Sequence, residues 1–264
     1  MSDSESSSSE WVLVNTDLLV GGQRLHAELP VPAGKALPEE LLPILQALTD
    51  AVVDVAISRV AAEGQAITCQ KGCGACCRQL VPISEAEARA LSALVETFPE
   101  NRRREIRERT MAARKTLQEA GLLERLEHPE RYENADLHTL GLEYFRAGIA
   151  CPFLEAESCS IHSDRPLACR EYLVTTPAID CAHPTPDTVH RVDLPAKVST
   201  ALTRIDVKPG ARFVRWAPLI LSLDWAASHP ATEPLHTGPE LLKIVLSQMM
   251  RRSPTGPEKS ASNT

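Results

Sequence analysis

Every cysteine of the chain lies between Cys69 and Cys181. The first four, Cys69, Cys73, Cys76 and Cys77, crowd into the run TCQKGCGACCR. The other four, Cys151, Cys159, Cys169 and Cys181, are spread over a later segment. Soft thiolates select zinc, Cu(I) or iron–sulfur centres over hard cations. The spacing of the first group is C-x3-C-x2-C-C. Adjacent Cys76 and Cys77 fit poorly on one tetrahedral ion; they suit two centres, or one binds while the other stands beside it. Gly72 and Gly74 argue against a regular helix here and let the backbone wrap closely, with N–H groups aimed at sulfur.

In the second group, Cys151-Pro152 has the Cys-Pro step of ferredoxin loops. Asp164-Arg165-Pro166 reads as the opening of a short helix, with Ser163 or Asp164 as N-cap and Pro166 in the first turn. Cys169 then lies near the start of that helix, where the macrodipole favours a thiolate. Arg165 and Arg170 flank Cys169 and are the candidates for offsetting thiolate charge and holding the cofactor. Arg78 follows Cys77, and a site role and an ordinary surface role weigh equally for it. His162 could replace a thiolate on zinc, although a lone histidine is more often not a ligand. Structural zinc prefers paired C-x2-C knuckles, and only Cys73–Cys76 has that spacing. Eight cysteines without a clear histidine ligand suit one or two iron–sulfur clusters better than zinc.

Bulk properties frame that chemistry. The chain has 264 residues, 43% of them hydrophobic and only 4% aromatic, so a core of Leu, Val, Ile and Ala is expected. A formal net charge of −7 argues against general nucleic-acid binding. The start, MSDSESSSSE, lacks the features of a signal peptide, and no apolar run is read as approaching the roughly 18 residues a membrane span needs. The expectation is a cytoplasmic protein, with no membrane partner, in a compartment where clustered cysteines bind metal more often than they form disulfides. There is no P-loop, dinucleotide fingerprint or G-x-S-x-G elbow.

The elements that must position these residues read as mainly α, a helical domain built around the cysteine site, with a small N-terminal β-hairpin. Residues 1–10 are expected to be disordered, 11–34 to form the hairpin, 36–250 the helical domain with its motif core at 69–181, and 251–264 a flexible tail. In the hairpin, Leu25, Ala27, Leu29 and Val31 alternate with polar residues, and Gly21-Gly22 makes the turn. Leu41, Leu45, Leu48, Val52, Val55 and Val60 predict a helix over Pro38–Ala62, with Pro43 limiting its first turns and Gly64 ending it. Ser84 and Glu87 form a capping box for the next helix. A third helix, over residues 101–120, is rich in arginine, read as i,i+4 ion pairs on a solvated face rather than a nucleic-acid surface. Residues 122–148 are amphipathic and interrupted at Pro129. Residues 180–186 read as a proline-rich turn and 188–193 as a short strand. Residues 194–205, 213–227 (interrupted at Pro218) and 239–250 read as helices.

The pattern C-x3-C-x2-CC, then C-P-F-L, C-x-I-H-x2-R-P-x2-C-R and a later Cys, resembles the YkgJ-type cysteine-cluster family, a CxxxCxxCC domain described as zinc- or iron-chelating. The resemblance spans about residues 69–181. It implies that all eight cysteines form the chelating set, with zinc or an iron–sulfur cluster as cofactor, and that Arg165, Pro166 and Arg170 match the family's RP and CR elements. His162 stands where the family usually has tyrosine, which argues against a ligand role. The family is in turn similar, in cysteine pattern, to flagellin lysine N-methylases, which implies an enzymatic alternative; no methyl-donor site is visible. Cys69-x3-Cys73-x2-Cys76 is also the radical S-adenosylmethionine spacing, but the surrounding helices lack the strand–helix alternation of that chemistry. Two function classes follow: a metal-binding protein with a structural or metal-handling centre and a protein or metal-delivery partner, or a redox or transferase enzyme using the centre.

Overall fold

The computed structural model describes residues 10–131, 134–185, 188–205 and 216–251. In chain order its first half contains β1 (Trp11–Val20), β2 (Gln23–Pro32), α1 (Leu42–Ala62), β3 (Pro82–Ile83), α2 (Glu85–Glu96), α3 (Glu100–Glu119), α4 (Leu123–Glu127) and α5 (Asn134–Arg146). The second half contains β4 (Leu154–Glu155), β5 (Ser158–Cys159), α6 (Leu167–Glu171), α7 (Ala178–Ala182), α8 (Val198–Thr203), β6 (Ala217–Pro218), α9 (Ser222–Ser228) and α10 (Gly238–Met250). The class is mainly α, as the sequence predicts.

Three apolar cores organise these elements. In the first, β1 and β2 pair antiparallel through Gly21 and Gly22, both at positive φ. One face of the hairpin buries Leu18, Val20, Leu29 and Val31 on α1, α8 and α10. Pro43 falls in the first turn of α1, where its missing N–H has no partner to lose, and a 3-10 turn over Pro38–Leu41 precedes it. Gly64, at φ 75°, ends the run. Pro38–Ala62 is in fact long and apolar enough to cross a membrane by length and composition, with mean hydropathy 1.6, contrary to the expectation that no such run exists. Its composition has a physical reason: α1 packs against β2, α6 and α8, so Leu45, Val52, Val55 and Ala56 are buried on several sides.

The second core gathers α2, α3, β3 and β6 around Leu91, Val95, Ile106 and Phe153. The third joins the end of α3 to α4 and α5 through Leu117, Leu126, Leu140 and Tyr144. Along α3, Arg104–Glu108 and Arg109–Glu105 form the expected i,i+4 pairs, whereas Glu100 pairs with Arg103. Arg102 and Arg109 also reach across to the segment bearing Cys151 and Cys159, so part of this basic helix is structural.

Several local expectations are corrected. Asp180, Cys181 and Ala182 lie in helix α7, because Pro177 with extended backbone serves as its N-cap; His183, Pro184 and Thr185 follow the helix, and Pro186, the last residue of the expected turn, is outside the described residues. Residues 188–193 make one antiparallel bridge, Val174–Arg191, and not a strand. The helix expected from residue 194 is confined to α8. Of the stretch 213–227, the first residues lie outside those described, Pro218 sits in β6, and the helix is α9. The expected terminal disorder falls almost wholly outside the described residues.

Candidate metal centre

The first cysteine group forms a loop and not a helix, as its glycines require. Gly72 adopts φ 95°, a conformation that L side chains rarely take. Gly74 answers a different need: a Cβ there would stand 2.5 Å from the Glu157 carbonyl oxygen and from the Leu154 side chain. The loop can therefore lie flat on the β4–β5 hairpin. A 3-10 turn over Ala75–Arg78 then presents Cys76 and Cys77. The Cys151 N–H donates to the Cys77 carbonyl at 2.8 Å, and Arg78 grips Glu157 bidentately at 2.7 and 2.9 Å. Ala156 and Glu157, at the hairpin tip, both have positive φ without being glycine, so the Arg78 clamp holds a conformation the backbone disfavours. From the other side, Arg109 donates to the Pro152 carbonyl and Arg102 to that of Ser160. The loop's start is tied to the strand-like stretch after α6: the Thr68 N–H donates to the Val174 carbonyl at 3.0 Å, and the Val174 N–H donates to Cys69 Sγ at 3.4 Å.

Helix α6, with Cys169, is held by two residues the sequence reading did not assign to the site. Glu87 completes the α2 capping box with Ser84 and is only 4% exposed. Its other oxygen accepts from the Leu167 N–H at 2.7 Å, so one carboxylate caps α2 and α6 together. Burial pushes the Glu87 carboxyl above its ordinary range. The second is Asp50 of α1, which pairs with Arg170 at 2.9 Å. The capping box was legible; its second bond, to a residue eighty positions later, was not. Asp50 is one of two acids in α1, with Asp54, and nothing in the sequence sets it apart.

The two arginines placed at the cofactor divide. Arg170 spends its guanidinium on Asp50 and on the Arg165 and Ser163 carbonyls, away from sulfur. Arg165 does not lie one helical turn before Cys169, because α6 starts only after Pro166, which is the N-cap and not a first-turn residue. Extended backbone at Arg165 still carries its side chain among the thiols, near enough to Cys69, Cys76 and Cys159 to favour their charged forms. Its Nε is buried and has no hydrogen-bond partner. His162 lies near Arg165, Arg170 and Lys71, and burial and these cations hold its pKa down.

All eight cysteines are free thiols. Cys69, Cys73, Cys76 and Cys181 line one pocket with Tyr172 and Val174. Cys151, Cys159 and Cys169 pack against the second core, and Cys77 interacts with Cys151 and Cys159. Cys76 borders both sets, interacting with Cys69 and Cys181 on one side and with Cys151 and Cys169 on the other. The Cys77 thiol, hydrogen-bonded to Cys76, lowers the Cys76 pKa to about 7 and has its own pushed up. Burial raises Cys151 to about 12 and Cys181 to about 11, and Cys169 well above the ordinary value. Packed thiolates therefore need positive charge beside them. The donor set suits zinc or iron in its chemistry, and the orphaned Arg165 Nε suits a sulfur-rich anion. Among the described residues, no three Cys, His, Asp or Glu side chains converge as one ion would require. No curated protein and no solved structure matches the chain. Residues 68–186, just under half of the chain, match the CxxCxxCC family model, described as a "putative zinc- or iron-chelating domain", and all eight cysteines lie inside the matched segment.

Proposed function

We propose that the protein is an iron–sulfur protein whose cysteine-held centre fastens the loop at 69–78, the β4–β5 hairpin, α6 and α7 to one another. The observation that carries this reading is the set of eight free thiols from distant segments, with the buried, unpartnered Nε of Arg165 on a side chain that acts on Cys69, Cys76 and Cys159. A cluster bound by cysteines keeps net negative charge and offers sulfur atoms as hydrogen-bond acceptors. A guanidinium and the N–H of Val174 directed at sulfur suit that anion. Among the described residues no three donor side chains converge on one ion, whereas an iron–sulfur centre spaces its ligands around several metal atoms. The test is the iron, acid-labile sulfide and zinc content of protein purified under argon. Brown protein with iron and sulfide in equal amounts is expected. Colourless protein with stoichiometric zinc and no sulfide would replace this reading with a zinc site.

A further inference from the structure

We infer that Tyr172 donates a hydrogen bond to the cysteine-held centre and that Gln79 is the positioning residue that aims its hydroxyl there. The inference rests on the cysteine-bound centre proposed above and deepens it. Tyr172 is a wall of the pocket lined by Cys69, Cys73, Cys76 and Cys181. It follows α6 directly, where extended backbone takes the chain out of the helix. Its phenol stands near enough to the Cys181 and Cys76 sulfurs to feel their charge. Gln79 closes the 3-10 turn that carries Cys76 and Cys77, and its N–H donates to the Cys76 carbonyl at 3.1 Å. Its side-chain Nε2 donates to the Tyr172 hydroxyl oxygen at 3.0 Å. One side chain therefore couples the position of the cysteine turn to that of the phenol.

Two hydroxyls line this pocket, and their protons are used differently. The Thr68 hydroxyl donates to the Thr176 and Val174 carbonyls, so its proton is spent on backbone. The Tyr172 oxygen accepts from Gln79, and among the described residues no oxygen or nitrogen accepts its proton. A half-buried phenol normally finds a partner for its O–H. Apart from the two hydroxyls, the polar side-chain atoms of this pocket are the four sulfurs. Sulfur of an anionic centre accepts hydrogen bonds, and such bonds tune its potential and hold its ligands. A donor at sulfur stabilises the more negative, reduced form and so raises the potential. Arg165 gives the thiols a charged donor; Tyr172 gives them a neutral one.

The experiment uses full-length protein purified under argon. Iron, zinc and sulfide content, reduction potential, release into excess chelator and thermal melting are measured in wild type, Tyr172→Phe, Gln79→Leu and the double variant. Tyr172→Phe keeps the ring and should keep metal content and melting. It should lower the potential and speed release about tenfold, the low end of what losing an outer partner costs. Gln79→Leu should shift both readouts in the same direction and add nothing in the Tyr172→Phe background, because it acts through the hydroxyl. It also keeps the test decisive if Tyr172→Phe fails to fold. Unchanged potential and release in Tyr172→Phe would overturn the inference and leave the iron–sulfur centre in place. So would opposite shifts in Gln79→Leu, which would mean that Gln79 holds the phenol proton. Wild type with zinc and no sulfide would overturn the iron–sulfur reading alone; release rates then decide, with faster, non-additive release supporting the hydrogen bond and equal rates overturning it. Wild type without stoichiometric metal would overturn both.

Discussion

Arg165 and Arg170 flank the same cysteine and do different things. Arg170 is buried against Asp50 and two carbonyls, an arrangement that fixes α6 on α1. Arg165 has no carboxylate partner and keeps a buried Nε free among the thiols. The account predicts that Arg165→Ala accelerates metal release roughly tenfold, the scale of losing an outer-shell partner, with little change in melting temperature. Arg170→Ala should do the reverse. It removes a buried cation and leaves two carbonyls unpaired, at a cost of about 2 kcal/mol after allowing for the half-exposed Asp50. Chelator-release rates and thermal melts on the two variants side by side check this; equal release rates for Arg165→Ala and wild type would remove arginine from the site. Gly74 supplies a second test at this scale. Gly74→Ala puts a methyl group against the Glu157 carbonyl and Leu154, costing about 1–3 kcal/mol as overpacking. It should lower metal content by undocking the loop from the hairpin, whereas Gly64→Ala, at a helix end with open space around it, should leave metal content unchanged.

At the scale of elements, the sequence was most legible where periodicity and local chemistry coincide. The hairpin, α1, the Ser84 capping box and α10 follow from alternation, helical spacing and cap residues; α1 ends where expected but starts at Leu42, four residues after Pro38, behind a 3-10 turn, and the others stand within two residues of their expected bounds. Around the cysteines, local rules ran out. Helix α6 has five residues and no side-chain cap of its own; its first N–H is satisfied by Glu87 from α2. No local pattern reveals a cap delivered from eighty residues away. For the same reason the expected strand at 188–193 shrinks to one bridge, and the expected turn at 180 becomes α7, set by Pro177. Pairing and docking in this region are tertiary. Glu87→Ala therefore should weaken two helices at once. It leaves the Ser84 and Leu167 N–H groups buried without an acceptor, at a cost on the order of 3 kcal/mol, and should loosen Cys169. Denaturant unfolding and metal content should fall together in this variant. In Ser84→Ala, where Glu87 still caps Leu167, stability should fall more than metal content.

For the whole molecule, the cysteine centre is the junction between cores. Leu167 of α6 packs in the first core, and Cys151, Cys159 and Cys169 pack on the second. Metal binding at such a junction acts as folding free energy. Removing the metal should lower the melting temperature by about 10 °C or more, since a few kcal/mol shift a domain of this size by several degrees. Melting unchanged after metal removal would mean that the cores stand without the centre. The most direct test of the central claim is to count protected thiols. Protein purified under argon is treated with an alkylating reagent, before and after metal removal by chelator under reducing conditions, and labelled cysteines are identified by mass spectrometry. The account predicts that Cys69, Cys73, Cys76, Cys77, Cys151, Cys159, Cys169 and Cys181 are all protected in the metal-loaded protein and all gain reactivity once metal is removed. Thiols that react at the same rates with and without metal would contradict it.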